Sequence, residues 1–132
     1  MPGWDEIARD NLLAAQCLRQ APSAEITGDY TRSVIGRSYY AAFSAVTHVL
    51  RGSANYPSGR ETPAHQLVPV LLQRHLRNRM RPQRLREVTA AVRRLYAARL
   101  DADYHSQTIN EMTLLSTLRD ACRVLKELGV QT

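Results

Sequence analysis

Apolar positions recur along this chain at helical spacing. Ala8, Leu12, Ala15 and Leu18 step by four, three and three, which places them on one helix face. The same stepping returns at Ile35, Tyr39, Ala42, Val46 and Val49. It returns again at Leu85, Val88, Val92 and Leu95, and at Leu114, Leu118, Ala121, Leu125 and Leu128. The alternation of a half-buried strand is almost absent. The pattern predicts helices over 4–20, 30–51, 83–102 and 110–128. Asp29 or Thr31 is suited to cap the second helix, and Gly129 to end the last. Pro22 and Gly28 break the chain after the first. Residues 52–63, rich in Gly, Pro, Ser and Asn, read as a mobile loop. Thr62 and Pro63 then suit the N-cap and first position of a short third helix over 63–77, with a kink or restart at Pro69. Residues 78–82 read as a basic turn. Helices with short connections predict an all-α fold, a four- to five-helix antiparallel up-and-down bundle. Gly36, Ser38, Ala41, Ala42, Ser44 and Ala45 make the second helix small-sided. Another helix can approach it closely, inside the domain or across a dimer.

Composition narrows the class. A chain of 132 residues suits one domain, 1–132, able to bury a core without disulfides or metal. Hydrophobic residues at 44% and charged residues at 23% exclude wholesale disorder. No apolar run approaches the roughly 18 residues of a membrane span. The opening residues have no basic segment followed by an apolar stretch. The expectation is a cytoplasmic protein with no membrane contact. Cys17 and Cys122 lack CxxC spacing and read as reduced, small core side chains. No His/Cys cluster has zinc spacing, so no metal or cofactor is expected.

Charge adds a location. Seventeen of the eighteen basic residues are Arg, and the formal net charge is +6. Nine arginines and one acid, Glu87, lie between Arg74 and Arg99. A patch of this kind attracts phosphates and polyanions. The bland alternative is a solvated helix face in an Arg-rich composition.

One arginine stands apart. Extending the stripe of the 83–102 helix by four residues from Leu95 lands on Arg99, a core-facing position. Burying an unmatched guanidinium is costly. Arg99 must pair with an acid such as Asp101 or Asp103, snorkel outward, or face a cleft. Beyond it, Asp103, Tyr104 and His105 complete an R-x5-H pattern. A histidine titrating near neutrality can take a proton from a ribose 2′-hydroxyl or give one to a leaving 5′-oxygen. An adjacent arginine can hold the phosphate and stabilise its developing charge. Such chemistry needs no metal. A second match runs from Arg60 to His65; its bland reading is a surface histidine at a helix start. His48 and His75 read as ordinary helix residues.

Three segments together carry a family resemblance: Arg37-Ser38-Tyr39-Tyr40-Ala41-Ala42-Phe43, Pro63-Ala64-His65, and Arg99-Leu100-Asp101-Ala102-Asp103-Tyr104. In order and spacing the chain resembles the HEPN domain family over about residues 5–128, in particular its short stand-alone members with an R-x-x-A-D-Y motif. The resemblance implies a dimeric helical bundle and a metal-independent endoribonuclease, a toxin or stress effector, often partnered by a nucleotidyltransferase-type antitoxin. Carried over, Arg99 binds phosphate, His105 is the general acid/base, and Asp103 and Tyr104 orient them at a dimer cleft. Arg37, Tyr40, His65, Arg93 and Arg94 contact substrate, and the Arg74–Arg94 patch holds the RNA backbone. The alternative is a non-catalytic module of the same family that binds a nucleotide or a nucleotidyltransferase-type partner. A third reading is a helical scaffold with Arg99 tied to Asp101 or Asp103.

Overall fold

The structure, a computed structural model, describes residues 3–20, 29–52, 62–104 and 111–130. They form α1 (Trp4–Gln20), α2 (Asp29–Arg51), a single 3-10 turn at His65–Leu67, α3 (Val68–Leu76), α4 (Pro82–Tyr104) and α5 (Glu111–Glu127). The fold is an all-α helical bundle. No helix among the described residues is long and apolar enough to cross a membrane.

The predicted stripes are the core. Ala8, Leu12 and Ala15 of α1 are buried, as are Ile35, Tyr39, Ala42 and Val46 of α2. Leu85, Val88, Val92 and Leu95 of α4 join them, with Leu114, Leu118, Ala121 and Leu125 of α5. The small residues of α2 explain its place. Ser38, Ala41, Ala42, Ser44 and Ala45 are fully buried, and α2 packs against all four other helices. Small side chains let four neighbours approach one backbone. Gly36 differs: a Cβ there would meet nothing within 4 Å, so packing within the chain does not require this glycine.

Contacts between helices fix the directions. Arg84 of α4 meets Glu127 of α5 at 3.5 Å, Glu87 meets Arg123, and Arg94 grips Asp120 through two bonds of 2.9 Å. Positions rise on α4 as they fall on α5, so the two run antiparallel. Likewise, Arg32 of α2 donates to the Ala102 carbonyl of α4 at 2.7 Å, while Tyr39 lies against Tyr96. The last turn of α4 has no basic residue of its own. Arg32 supplies a cation to one of its terminal carbonyls.

Several local expectations change. Helix three does not start at Pro63. Ala64 is extended, a 3-10 turn follows, and α3 begins at Val68 with Pro69 in its first turn. Proline has no N–H to bond back to His65, so an α-helix cannot run through 65–69 unbroken, whereas a first turn accepts proline readily. Thr62 is therefore not an N-cap. Thr31 lies inside α2, two residues past its start, and is not one either. Cys17 is exposed rather than buried, and Cys122 is half-buried. The Cys122 sulfur accepts from the Gln16 amide at 3.7 Å. Most of the 52–63 loop lies outside the described residues.

The C-terminus of α5 ends as its glycine predicts. Gly129 has φ +79; its amide bonds to the Lys126 carbonyl, and the Val130 amide to the Leu125 carbonyl. This is a Schellman closure with its usual apolar anchor, since Val130 is buried in the main core.

Candidate functional site

Three elements converge on one aromatic cluster. Tyr39 sits on the buried row of α2, and only 1% of its surface is exposed. A hydroxyl this deep needs a hydrogen-bond partner. It finds Nδ1 of His65 at 2.5 Å. The extended backbone at Ala64 delivers the His65 ring to Phe43, stacked at 4.2 Å between centroids. The ring of Tyr96, from α4, lies nearly parallel to His65 at 6.1 Å.

Arg99 closes the cluster from α4, one turn beyond Tyr96. Its guanidinium carbon lies 5.1 Å from the centre of the Tyr39 ring, a cation–π placement. Its Nε is 3.6 Å from Asp103, and about a third of its side chain is exposed. The core-facing arginine thus pairs with an acid and reaches solvent, and it also rests on an aromatic face that the sequence did not indicate.

The electrostatics follow from this packing. Burial pushes the Tyr39 hydroxyl well above its ordinary range, against an opposing pull from Arg99, so the phenol stays protonated. Burial, and then the positive charge of Arg99, lower the pKa of His65. The imidazole is neutral at neutral pH. A neutral, oriented histidine beside a guanidinium can bind an oxyanion or exchange a proton with a bound group.

The other predicted residues are distributed differently. Asp103 accompanies Arg99. Tyr104 ends α4, and His105, like Arg60, lies outside the described residues. Arg37 donates to Asn11 at 3.1 Å. With Asn11, Ser33, Gly36 and Tyr40 it lines an open groove of about 440 Å³ between α1 and α2. The Phe43 ring stands 6.0 Å from both Tyr39 and Tyr40, and none of Tyr39, His65 and Arg99 lines the groove. Arg93 is exposed and has no acid within ion-pair distance among the described residues. Arg94 is matched by Asp120, which holds its guanidinium more firmly protonated than usual through that hydrogen bond. Its charge is therefore not free for a polyanion in the way a bare run of arginines suggests. No group of three or more potential metal ligands occurs among the described residues.

The spacing along α4 pointed to Arg99 but not to Tyr39, Phe43 and Tyr96. A tyrosine on a fully buried stripe was the available signal, because its hydroxyl must be satisfied by something. In comparison with known proteins, the chain matches no family model, no curated protein and no solved structure.

Proposed function

We propose that this protein is a metal-independent endoribonuclease of HEPN type, acting in the cytoplasm as a dimeric toxin or stress effector. Arg99 holds the scissile phosphate. His105 takes the 2′-hydroxyl proton as the 2′-oxygen bonds to phosphorus. The bond to the 5′-oxygen breaks, and that oxygen leaves with a proton from the second chain's histidine or from water. Exposed arginines of α3 and α4 hold the RNA backbone. A nucleotidyltransferase-type antitoxin would cover the same face. The observation that carries this reading is the position of Arg99. It is anchored on Tyr39 and Asp103 and one-third exposed.

The test is cleavage of varied RNAs by purified protein in EDTA, with Arg99→Ala and His105→Ala alongside. The expected result is cleavage by the wild type and a loss of at least a hundredfold in each variant, the scale of general acid–base and charge stabilisation, with helicity retained. Cleavage indifferent to both substitutions, or absent from the wild type, overturns it. The second reading, a non-catalytic module that binds a nucleotide or a nucleotidyltransferase-type partner, draws on the Arg99–Asp103 pair. An i, i+4 pair within one helix also suits a purely structural arginine. Wild-type protein that binds RNA without cutting it favours that reading.

A further inference from the structure

We infer that His65 and Arg99 together form one phosphate-binding site, in which Tyr39 positions both. Three separate elements meet here: α2 brings Tyr39, the 3-10 turn brings His65, and α4 brings Arg99. Tyr39 touches the other two at once, with its hydroxyl 2.5 Å from His65 Nδ1 and its ring under the Arg99 guanidinium.

The hydrogen-bond roles decide what the site offers. Tyr39 is a protonated phenol and His65 a neutral imidazole. The phenol O–H donates to Nδ1, so the imidazole proton resides on Nε2. Two of the ring's surroundings are aromatic, Phe43 at 4.2 Å and Tyr96 at 6.1 Å, and these restrict its tilt. Tyr39 fixes its rotation. What remains is a neutral N–H donor and a charged fork, both held by the one Tyr39 side chain. Asp103 approaches that fork at Nε, and the Tyr39 hydroxyl also hydrogen-bonds to the guanidinium. A phosphate oxygen accepts from both kinds of donor. The pair suits a phosphate monoester or a phosphodiester, and binding does not depend on first protonating His65.

The inference shares Arg99 with the ribonuclease reading but does not need cleavage. It is tested on the full chain by long-range nitrogen–proton NMR of the imidazoles. The free wild-type protein should show His65 with Nε2 protonated and Nδ1 as an acceptor. Adding inorganic phosphate, or a 2′-deoxy dinucleotide that cannot be cleaved by 2′-attack, should move the His65 Nε2 signal. A response to the dinucleotide at lower concentration identifies a diester site, and the reverse order a monoester site; either supports the inference. Arg99→Gln should abolish the response. Tyr39→Phe, a change of one hydroxyl, should let the second tautomer appear and weaken phosphate binding by about three- to tenfold. The wild-type tautomer is read without any variant, so a variant that fails to fold does not block the test. His65 protonated at Nδ1, or a His65 signal that stays still at saturating phosphate, overturns the inference. An RNA that is not cleaved while His65 still responds to phosphate removes the ribonuclease reading and leaves this site intact.

Discussion

At the scale of single residues, the neutral His65 ties folding to pH. In the unfolded chain an imidazole takes its proton near pH 6.5. In the fold, burial and Arg99 resist that proton. As pH falls below about 6.5 the unfolded chain therefore binds it first, and stability is lost until the lowered native pKa is passed. Above about 6.5 this contribution is complete. The charged and titratable groups facing the ring are Tyr39 from α2 and Tyr96 and Arg99 from α4. Urea unfolding should show a midpoint that drops between about pH 7 and pH 5, and the drop should be shallower in His65→Gln. An equally steep drop in both proteins would assign the effect elsewhere. Arg99 was readable in the sequence, because a helical stripe can be extended by counting. Its companions were not. Tyr39 and His65 lie on other elements, and spacing along one helix says nothing about what crosses it. The R-x5-H reading looked forward along the chain to His105; among the described residues, the histidine beside Arg99 is His65.

At the scale of elements, helix ends carry the information that stripes do not. Gly129 holds a backbone conformation that an L side chain adopts with strain, although a Cβ there would meet no neighbour. Gly129→Ala should therefore cost about 1 kcal/mol from backbone strain alone, lowering the melting temperature by about 4 °C. A thermal melt by circular dichroism checks this, and an unchanged melt would mean that the Schellman closure is dispensable. The four long helices were legible to within a residue or two because each has a long, regular stripe. The third was not. Thr62-Pro63 has the chemistry of a helix start, but so does the first turn around Pro69, and the second prevailed because proline cannot supply the amide that an earlier start requires. That displacement matters beyond bookkeeping of boundaries: the non-helical approach through Ala64 is what carries His65 to Tyr39.

At the scale of the molecule, folding redistributes charge that looks continuous in the sequence. Asp120 and Glu127 of α5 lie against Arg94 and Arg84, and Glu87 is drawn to Arg123. Exposed pairs of this kind add about 0–1 kcal/mol each, but they select which arginines remain available. Arg74, Arg77, Arg79, Arg81, Arg86 and Arg93 are exposed and have no ion pair among the described residues. They follow α3, its turn and the outer face of α4. Two sequence neighbours therefore make a sharp comparison. Arg93→Gln should reduce the salt dependence of single-stranded RNA binding by about 0.7 in the log–log slope, one phosphate's worth. Arg94→Gln should change it far less, because Asp120 already matches that charge. Equal effects would mean that the Arg94–Asp120 pair opens on binding. The sequence located the basic segment correctly but could not divide it, since the matching acids arrive from α5.

The central position of α2 also bears on how the chain comes off the ribosome. Its main core is completed by Ala121, Val124 and Leu125 of α5, and α1 is joined to α5 through Gln16 and Cys122. A nascent chain that has emerged only as far as α4 has nothing to fill those places. It must hold an apolar seam open to water until α5 has been made. At roughly 5–20 residues per second, that interval lasts about a second or more. In that interval the open seam is exposed to aggregation and to chaperones, which compete with the docking of α5.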